Sequence, residues 1–559
     1  MRRIRAALVA LLASALLAGC VAIPTGGAVS RFALRGGDDA PTFNFLARPP
    51  AEGDDQDEIL AGFIQAGIDT QDRYAVARQY LTTDLAARWN PNSSVTVTDG
   101  TRSASTRVDG ARISLTVRAS ARVDASGAYS TTSDTAVLPF SFVKQKGEWR
   151  ISAAPDGTVL SPYNFSAVFA AFPLYFLDPT GAFLVPDLRW YPAGASAQDR
   201  VVRGLLAGPA TWLGSGAVVS AFPRGTQLGS DGVDIRDGVA TVDLSAQVLE
   251  ESAAARRRMT AQLQTTLQSI TTLSAVRLAV RGVAIEVPAD SSMPTDDPQV
   301  GTEVIAFGQG GLGTVSGQSL APLPPFTAKT AELPAGPATL DRSRSTLALR
   351  SSQGVWRIPA AGQAELVDRR SALIAPAIDP EGFVWTAQTS GVGTVAAIDP
   401  RGGVVRPIGS ASTPSGGVLV SMRMSRDGTR IAFGVITADG PVLQLGAIQR
   451  DSSLVPTGLG PFLTIPVTGG TLVDVAWIDP QSVAYLVRDA SGTTVRSQQV
   501  GGQSASLGRP VDAAQIVGGN AGVDGLRILT SEGGLLQQTG AGGWQTTGTG
   551  SLSWLVTQQ

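Results

Sequence analysis

Met424-Ser425-Arg426-Asp427-Gly428-Thr429-Arg430-Ile431-Ala432-Phe433 reads as an apolar strand end, a tight turn and a β-rich exit. Asp and Gly favour such a turn because the carboxylate can serve its own backbone and glycine tolerates positive φ. Looser copies stand at 341–349, at Ile378-Asp379-Pro380-Glu381-Gly382-Phe383-Val384-Trp385 and at Trp477-Ile478-Asp479-Pro480-Gln481-Ser482-Val483-Ala484-Tyr485. Aligning Leu347, Val384, Ile431 and Val483 gives intervals of 37, 47 and 52 residues. Those intervals lie near the ~40–50 residues of one four-stranded propeller blade. A further strand follows each copy, as in Val355-Trp356-Arg357-Ile358 and Val442-Leu443-Gln444-Leu445, and 526–529 with Leu535-Leu536 is another copy. A blade cannot bury both faces alone, so blades must stack around an axis. Residues 331–559 are therefore predicted as an all-β propeller, with a β-sandwich as the other architecture such strands build.

Upstream, Pro322, Pro324, Pro325, Pro334 and Pro337 mark a loop-rich stretch, and 291–330 reads as a linker. Gly308-Gln309-Gly310-Gly311-Leu312-Gly313 fits GxGxxG, yet Thr314 onward is Gly-, Ser- and Pro-rich where a dinucleotide site needs a helix N-terminus. Residues 191–290 read as a second α+β unit. Val201, Val202, Leu205 and Leu206 form a short amphipathic helix stopped by Gly208-Pro209, and Arg236-Asp237-Gly238 joins two strands as a hairpin. Met259, Leu263, Leu267, Ile270 and Leu273 make an apolar stripe on a long helix, followed by a strand at 275–280. A Phe- and Tyr-rich passage from Tyr163 to Trp190 precedes this unit.

Residues 51–190 read as an N-terminal α+β domain. Ile59, Leu60, Phe63, Ile64 and Ile68 recur at helical spacing behind Asp54, Asp55, Asp57 and Glu58, acids that suit the positive end of a helix dipole. Strands are expected at 95–98, 113–117 and 137–143, the last pairing with 149–151 across Gly147. Residues 20–50, rich in Gly, Pro and Asp, read as a tether. Ahead of them, Met1 to Arg5 is basic, 6–16 is apolar apart from Ser14, and Leu17-Ala18-Gly19-Cys20 follows. The apolar run is shorter than the ~20 residues of a membrane span, so 1–19 is expected to be a lipoprotein signal peptide. Leu-Ala-Gly-Cys resembles the bacterial lipobox, which implies diacylglycerol and an N-acyl chain on Cys20 after cleavage; together they anchor stably.

Composition narrows the chemistry. The chain has 559 residues, 43% hydrophobic and 16% charged, so it buries enough apolar surface to fold. Histidine is absent, which removes serine–histidine triads, HExxH zinc sites and any imidazole base. The single cysteine excludes intrachain disulfides and multi-cysteine metal sites. A net charge of −2 without basic clusters gives no footprint for nucleic acid. No cofactor, metal or catalytic set is expected.

The order of lipobox, α+β unit, hairpin-and-helix unit and degenerate propeller resembles the LpqB family of actinobacterial lipoproteins, nearly end to end. The resemblance is carried by Glu58-Ile59-Leu60-Ala61-Gly62-Phe63, Val76-Ala77-Arg78-Gln79-Tyr80-Leu81-Thr82 and Trp89-Asn90-Pro91. Leu205-Leu206-Ala207-Gly208-Pro209 and Gly238-Val239-Ala240-Thr241-Val242-Asp243-Leu244-Ser245 resemble the GerMN domain, and Ser425-Arg426-Asp427-Gly428-Thr429 the turn of TolB-type propellers. The resemblance implies a non-enzymatic lipoprotein on the extracytoplasmic face of the cell membrane. It also implies association with the extracellular sensor region of the MtrB histidine kinase, influencing MtrA–MtrB signalling, cell-wall homeostasis and division. None of the matched motifs is catalytic.

Two other functions fit the residues. A glycosidase needs two carboxylates rather than histidine, and Asp379, Glu381, Asp427 and Asp479 are the candidates, although turn aspartates commonly serve their own backbone. A wall-glycan or peptide binding module would use Trp356, Trp385 and Trp477 as a stacking surface; core packing is the competing role for these rings.

Overall fold

The computed structural model describes residues 47–559 apart from 195, 215, 289–292, 411–416, 541, 549 and 550. The expected signal peptide 1–19, Cys20 and the tether as far as residue 46 lie outside the described residues. What is described is an N-terminal α+β domain, a GerMN-like α+β domain and a C-terminal β-propeller.

The first domain opens with α1 (Gln56–Ala66), and the acids before its apolar stripe do specific work. Asp55 accepts from the Asp57 and Glu58 amides at 2.9 Å, and Glu58 accepts from the Asp55 amide at 2.8 Å, a capping box. Ile59, Leu60 and Phe63 are thereby turned onto a sheet of β1 (Ser94–Thr98), β2 (Ala104–Arg107), β3 (Arg112–Asp124), β4 (Tyr129–Thr131), β5 (Thr135–Gln145), β6 (Glu148–Ala153) and β7 (Thr158–Leu160). The order is β6-β5-β3-β1-β7, with β2 and β4 also on β3. Val143 faces Arg150 across the Gly147 turn, as the alternation predicts.

The aromatic passage forms an antiparallel pair, β8 (Phe169–Leu177) and β9 (Leu184–Pro192), almost wholly buried. The sequence reading assigns these strands to the first domain; the structure keeps only one end there, Phe169 and Trp190 packing with Val95, Val97 and Phe165, and places the rest in the second unit. Phe172, Leu174, Phe176 and Val185 share one core with Val201, Val202 and Leu205 of α2 (Ala197–Ala207) and with Met259, Leu263 and Leu267 of α3 (Ala253–Leu267). The same core includes Val242 of β11 (Val239–Leu244) and Leu278 of β12 (Ala275–Val280). β10 (Leu228–Arg236) and β11 meet through Asp237 and Gly238, at φ 51° and 75°, the backbone of a two-residue hairpin turn. The helical stripe ends at Leu267, so Ile270 and Leu273 pack from the loop beyond.

In the C-terminal half, Leu347, Val384, Ile431 and Val483 all fall on the second strand of successive antiparallel blades, four-stranded meanders except the third, whose sheet has six strands. The repeat 526–536 supplies the second and third strands of a fifth. The expected linker contradicts the structure here. Its strands β13 (Ile305–Gly308), β14 (Gly311–Ser316) and β15 (Ser319–Pro322) belong to the propeller, and the GxGxxG match lies in their first hairpin. They complete a sixth blade among the described residues, because the closing strand Leu552–Gln558 pairs antiparallel with β13 and parallel with Ala338–Leu340 of the first blade. The inner strands touch in cyclic order, so the ring is closed and the sandwich alternative falls away. Closure leaves no open edge between the first and last blades.

Candidate functional site

The one residue to which the sequence assigns a modification, Cys20, lies outside the described residues. Among the described residues no helix is long and apolar enough to cross a membrane, and no group of His, Cys, Asp and Glu is placed to hold a metal ion.

The four carboxylates proposed for hydrolysis sit in the turns between first and second strands of the blades. Asp427 accepts from the Thr429 amide at 2.9 Å and the Ser425 hydroxyl at 2.8 Å, and pairs with the fully buried Arg430 at 2.5 Å. Burial pushes the Asp427 carboxyl up, but Arg430 and these hydrogen bonds outweigh it and hold the group below the usual range. Arg430 continues into the next blade, donating to the Pro480 carbonyl at 2.8 Å and lying 5.0 Å from the Trp477 ring centroid. Asp479 accepts from the Gln481 amide at 2.7 Å, and burial raises its carboxyl.

Asp379 and Glu381 are the only two of the four that one side chain brings together. Arg450 Nη2 lies 2.8 Å from Asp379 Oδ2 and 3.1 Å from Glu381 Oε2. Asp379 also accepts from the Phe383 amide at 2.8 Å and from Trp385 Nε1 at 2.9 Å. Burial pushes the Glu381 carboxyl up to about 7, Arg450 working against it and Asp379 with it. A retaining glycosidase holds its carboxyl groups ~5 Å apart around a sugar. Here the intervening space is filled by a guanidinium, and Asp379 has no exposed side-chain surface. The cluster is a clasp between blades.

The tryptophans do not make a stacking surface. Trp385 is fully buried, Trp477 nearly so, and Trp356 is half-buried with Nε1 donating to Ser351 at 3.2 Å.

The turn face of the propeller is covered from within the chain. Phe183 lies under the Arg342 guanidinium at 5.1 Å, Tyr175 accepts from Gln481 Nε2 at 3.3 Å, and Trp190 Nε1 donates to the Gly501 carbonyl at 3.0 Å. On its other flank β9 holds a buried ion pair, Asp187 with Arg189 at 2.8 Å. Arg189 donates to Ser126 of the first domain, while Asp187 accepts from the Ala210 amide of the second. The β8–β9 pair thus touches all three units. Sequence reasoning missed this role; its signal was the run of apolar residues on both faces of two strands, the mark of a strand buried twice over.

An open cavity of about 640 Å³ lies in the first domain between α1 and the β1–β2 and β7 ends of the sheet. Its floor includes Leu60, Ile64, Leu115 and Leu160, and its rim Gln65, Ser103, Ser105 and Asn164.

Comparison with known proteins places these units. Residues 49–166 match the model of the lipoprotein LpqB N-terminal domain, 173–286 the sporulation and spore germination (Germane) domain, and 310–552 the lipoprotein LpqB β-propeller domain. Lipoprotein LpqB of Cutibacterium acnes is 28% identical over 88% of both chains, and that of Mycobacterium bovis BCG 26% identical over 88% of both. Lipoprotein LpqB of Nocardia farcinica is 38% identical over 33% of this chain and 30% of its own. With both LpqB-specific models matched in order around a Germane domain, and relatives aligned across most of their length, the chain belongs to the LpqB family of lipoproteins.

Proposed function

We propose that this is a membrane-tethered accessory lipoprotein, held at the extracytoplasmic face by diacylglycerol and N-acyl chains on Cys20. Its ectodomain contacts the extracellular sensor region of the MtrB histidine kinase and modulates MtrA–MtrB signalling, wall homeostasis and division. The observation that carries a non-catalytic reading is the use of the candidate carboxylates: Asp379 and Asp427 are consumed by backbone amides and buried arginines. The docking surface in this proposal is the propeller face away from β8–β9, since the turn face is occupied. In-membrane crosslinking of the native protein, followed by mass spectrometry of its neighbours, is the test. Enrichment of the sensor kinase supports the reading; its absence from crosslinked material, with other membrane proteins recovered, overturns it.

A further inference from the structure

β2 is a strand with one side unused. It pairs with β3 through Ala104–Thr116, Ser105–Leu115, Thr106–Ser114 and Arg107–Ile113, and among the described residues no strand lies on its other edge. The next residue sets the phase of this ladder: Val108 donates to the Arg112 carbonyl at 2.9 Å, making 108 and 112 a hydrogen-bonded pair. In an antiparallel ladder such pairs alternate, so 106/114 and 104/116 are bonded likewise. Ser105 and Arg107 therefore direct their N–H and C=O groups outward, and all four residues of β2 are exposed.

That open edge borders the 640 Å³ cavity. Ser105 and its cross-strand neighbour Leu115 both line it, opposite Leu60 and Ile64 of α1. The volume falls within the ~300–1,000 Å³ of ligand sites. Asp57 is the one ionisable group of the lining, and it is already paired with Arg107 at 2.7 Å. The recess thus offers an apolar floor, a neutral hydroxyl and amide rim, and a strand edge with unpaired backbone groups.

We infer that the cleft between α1 and β2 is a peptide-docking site, which takes an extended, uncharged polypeptide segment with apolar residues at alternate positions. The segment adds as a strand to β2, and its alternate side chains enter the floor. Charge complementarity selects a neutral occupant, since a charged side chain would be desolvated there with no opposite charge free to meet it. An acyl chain fits the floor, but it would bury the outward Ser105 and Arg107 amides and the rim hydroxyls without partners, at a cost a peptide backbone avoids. Four strand residues cover ~13 Å, so the segment is short. The site lies in the N-terminal domain, independent of the propeller contact proposed above.

The test is selection of a phage-displayed random heptapeptide library against the full chain in phospholipid nanodiscs, with empty nanodiscs as subtraction. Enriched sequences are expected to lack Asp, Glu, Lys and Arg and to carry apolar residues at every second position. A synthetic copy should slow hydrogen exchange at Ser105 and Arg107 at least tenfold. Its affinity should fall at least tenfold in Ala61→Trp, which fills the cleft from an exposed helix position, and in Ser105→Pro, which removes one outward amide but no β2–β3 bond. Thermal unfolding of both variants checks that they fold, and either one suffices. No enrichment over the Ala61→Trp protein, protection elsewhere than β2, or saturable uptake of dansyl-undecanoic acid that the peptide cannot displace would each overturn the assignment. Loss of sensor-kinase crosslinks leaves these readouts untouched, so the two proposals fail separately.

Discussion

Asp427 and Arg430 illustrate how little of a charged residue's role is visible from its type. The turn chemistry of Asp427 was legible, because Asp-Gly-Thr after an apolar strand asks for a carboxylate on its own backbone. The partner blade reached by Arg430 was not, since nothing local marks Pro480 as its acceptor. Removing the carboxylate leaves a fully buried guanidinium without its counter-charge, which costs ~3–5 kcal/mol. Asp427→Asn and Asp427→Ala should therefore both lower the urea midpoint of the propeller, since each removes the counter-charge, with Asp427→Asn the milder because it keeps an acceptor for Thr429; an unchanged midpoint in Asp427→Asn would show that the ion pair contributes nothing. Glu381 gives a pH signature. Its carboxyl is raised from an ordinary 4.5 to about 7, so the unfolded chain ionises first as pH rises. Stability is fully present below about 4.5 and is lost as pH rises through 7, on the order of 3 kcal/mol. Urea midpoints at pH 5 and pH 8 should separate in the native protein and converge in Glu381→Gln. A native midpoint independent of pH would refute the assignment.

Elements differ in legibility for a physical reason: local signals report local partners. α1 was readable because its stripe and capping box lie within one dozen residues, and the second strands of five blades were readable because each sits beside its own turn. The sixth blade was not. Its inner strand is supplied from elsewhere in the chain, so Phe307 and Ser553, which bond each other, stand 246 positions apart. The proline-rich texture around β15 then reads as linker. The α1–β2 cleft was equally silent, because residues lining a recess show the same apolar spacing as residues filling a core. At the ring's closing strand, Gln559 donates from its main chain to Leu340 and from Nε2 to Met424, and accepts from the Ile378 amide. Three inner strands are tied by one residue. Gln559→Ala should cost about 1–3 kcal/mol, read as a lowered thermal midpoint. Gly428 is the second sensitive point, at φ 71° with the position of an added Cβ only 2.4 Å from a Pro380 ring carbon. Gly428→Ala is expected to destabilise the protein more than Gly540→Ala, an alanine in an exposed turn at a similar φ of 60° with nothing near its added Cβ, measured the same way.

For the whole molecule, the β8–β9 pair is the joint that makes three units one body. The place an added Cβ would take at Gly501 lies 3.6 Å from Leu188 Cβ, within the span of a disulfide. Gly501 has φ 80°, so a cysteine there carries some strain, but the crosslink should still form. Leu188→Cys with Gly501→Cys should give an intramolecular bond under air oxidation, seen as a mass loss of two hydrogens and faster migration on a non-reducing gel. Persistent free thiols in the folded double variant would mean that the second unit does not rest on the propeller as described.

A ring locked by strands so distant in sequence also has a history. Until residues 305–322 and 552–558 have both found their places, the last gap cannot be zipped, and joining segments so far apart is slow. While they stay apart this half remains loose and pliable, and it sets into a rigid wheel only when the closing strand seats. The architecture thereby makes its own completion the latest step of assembly.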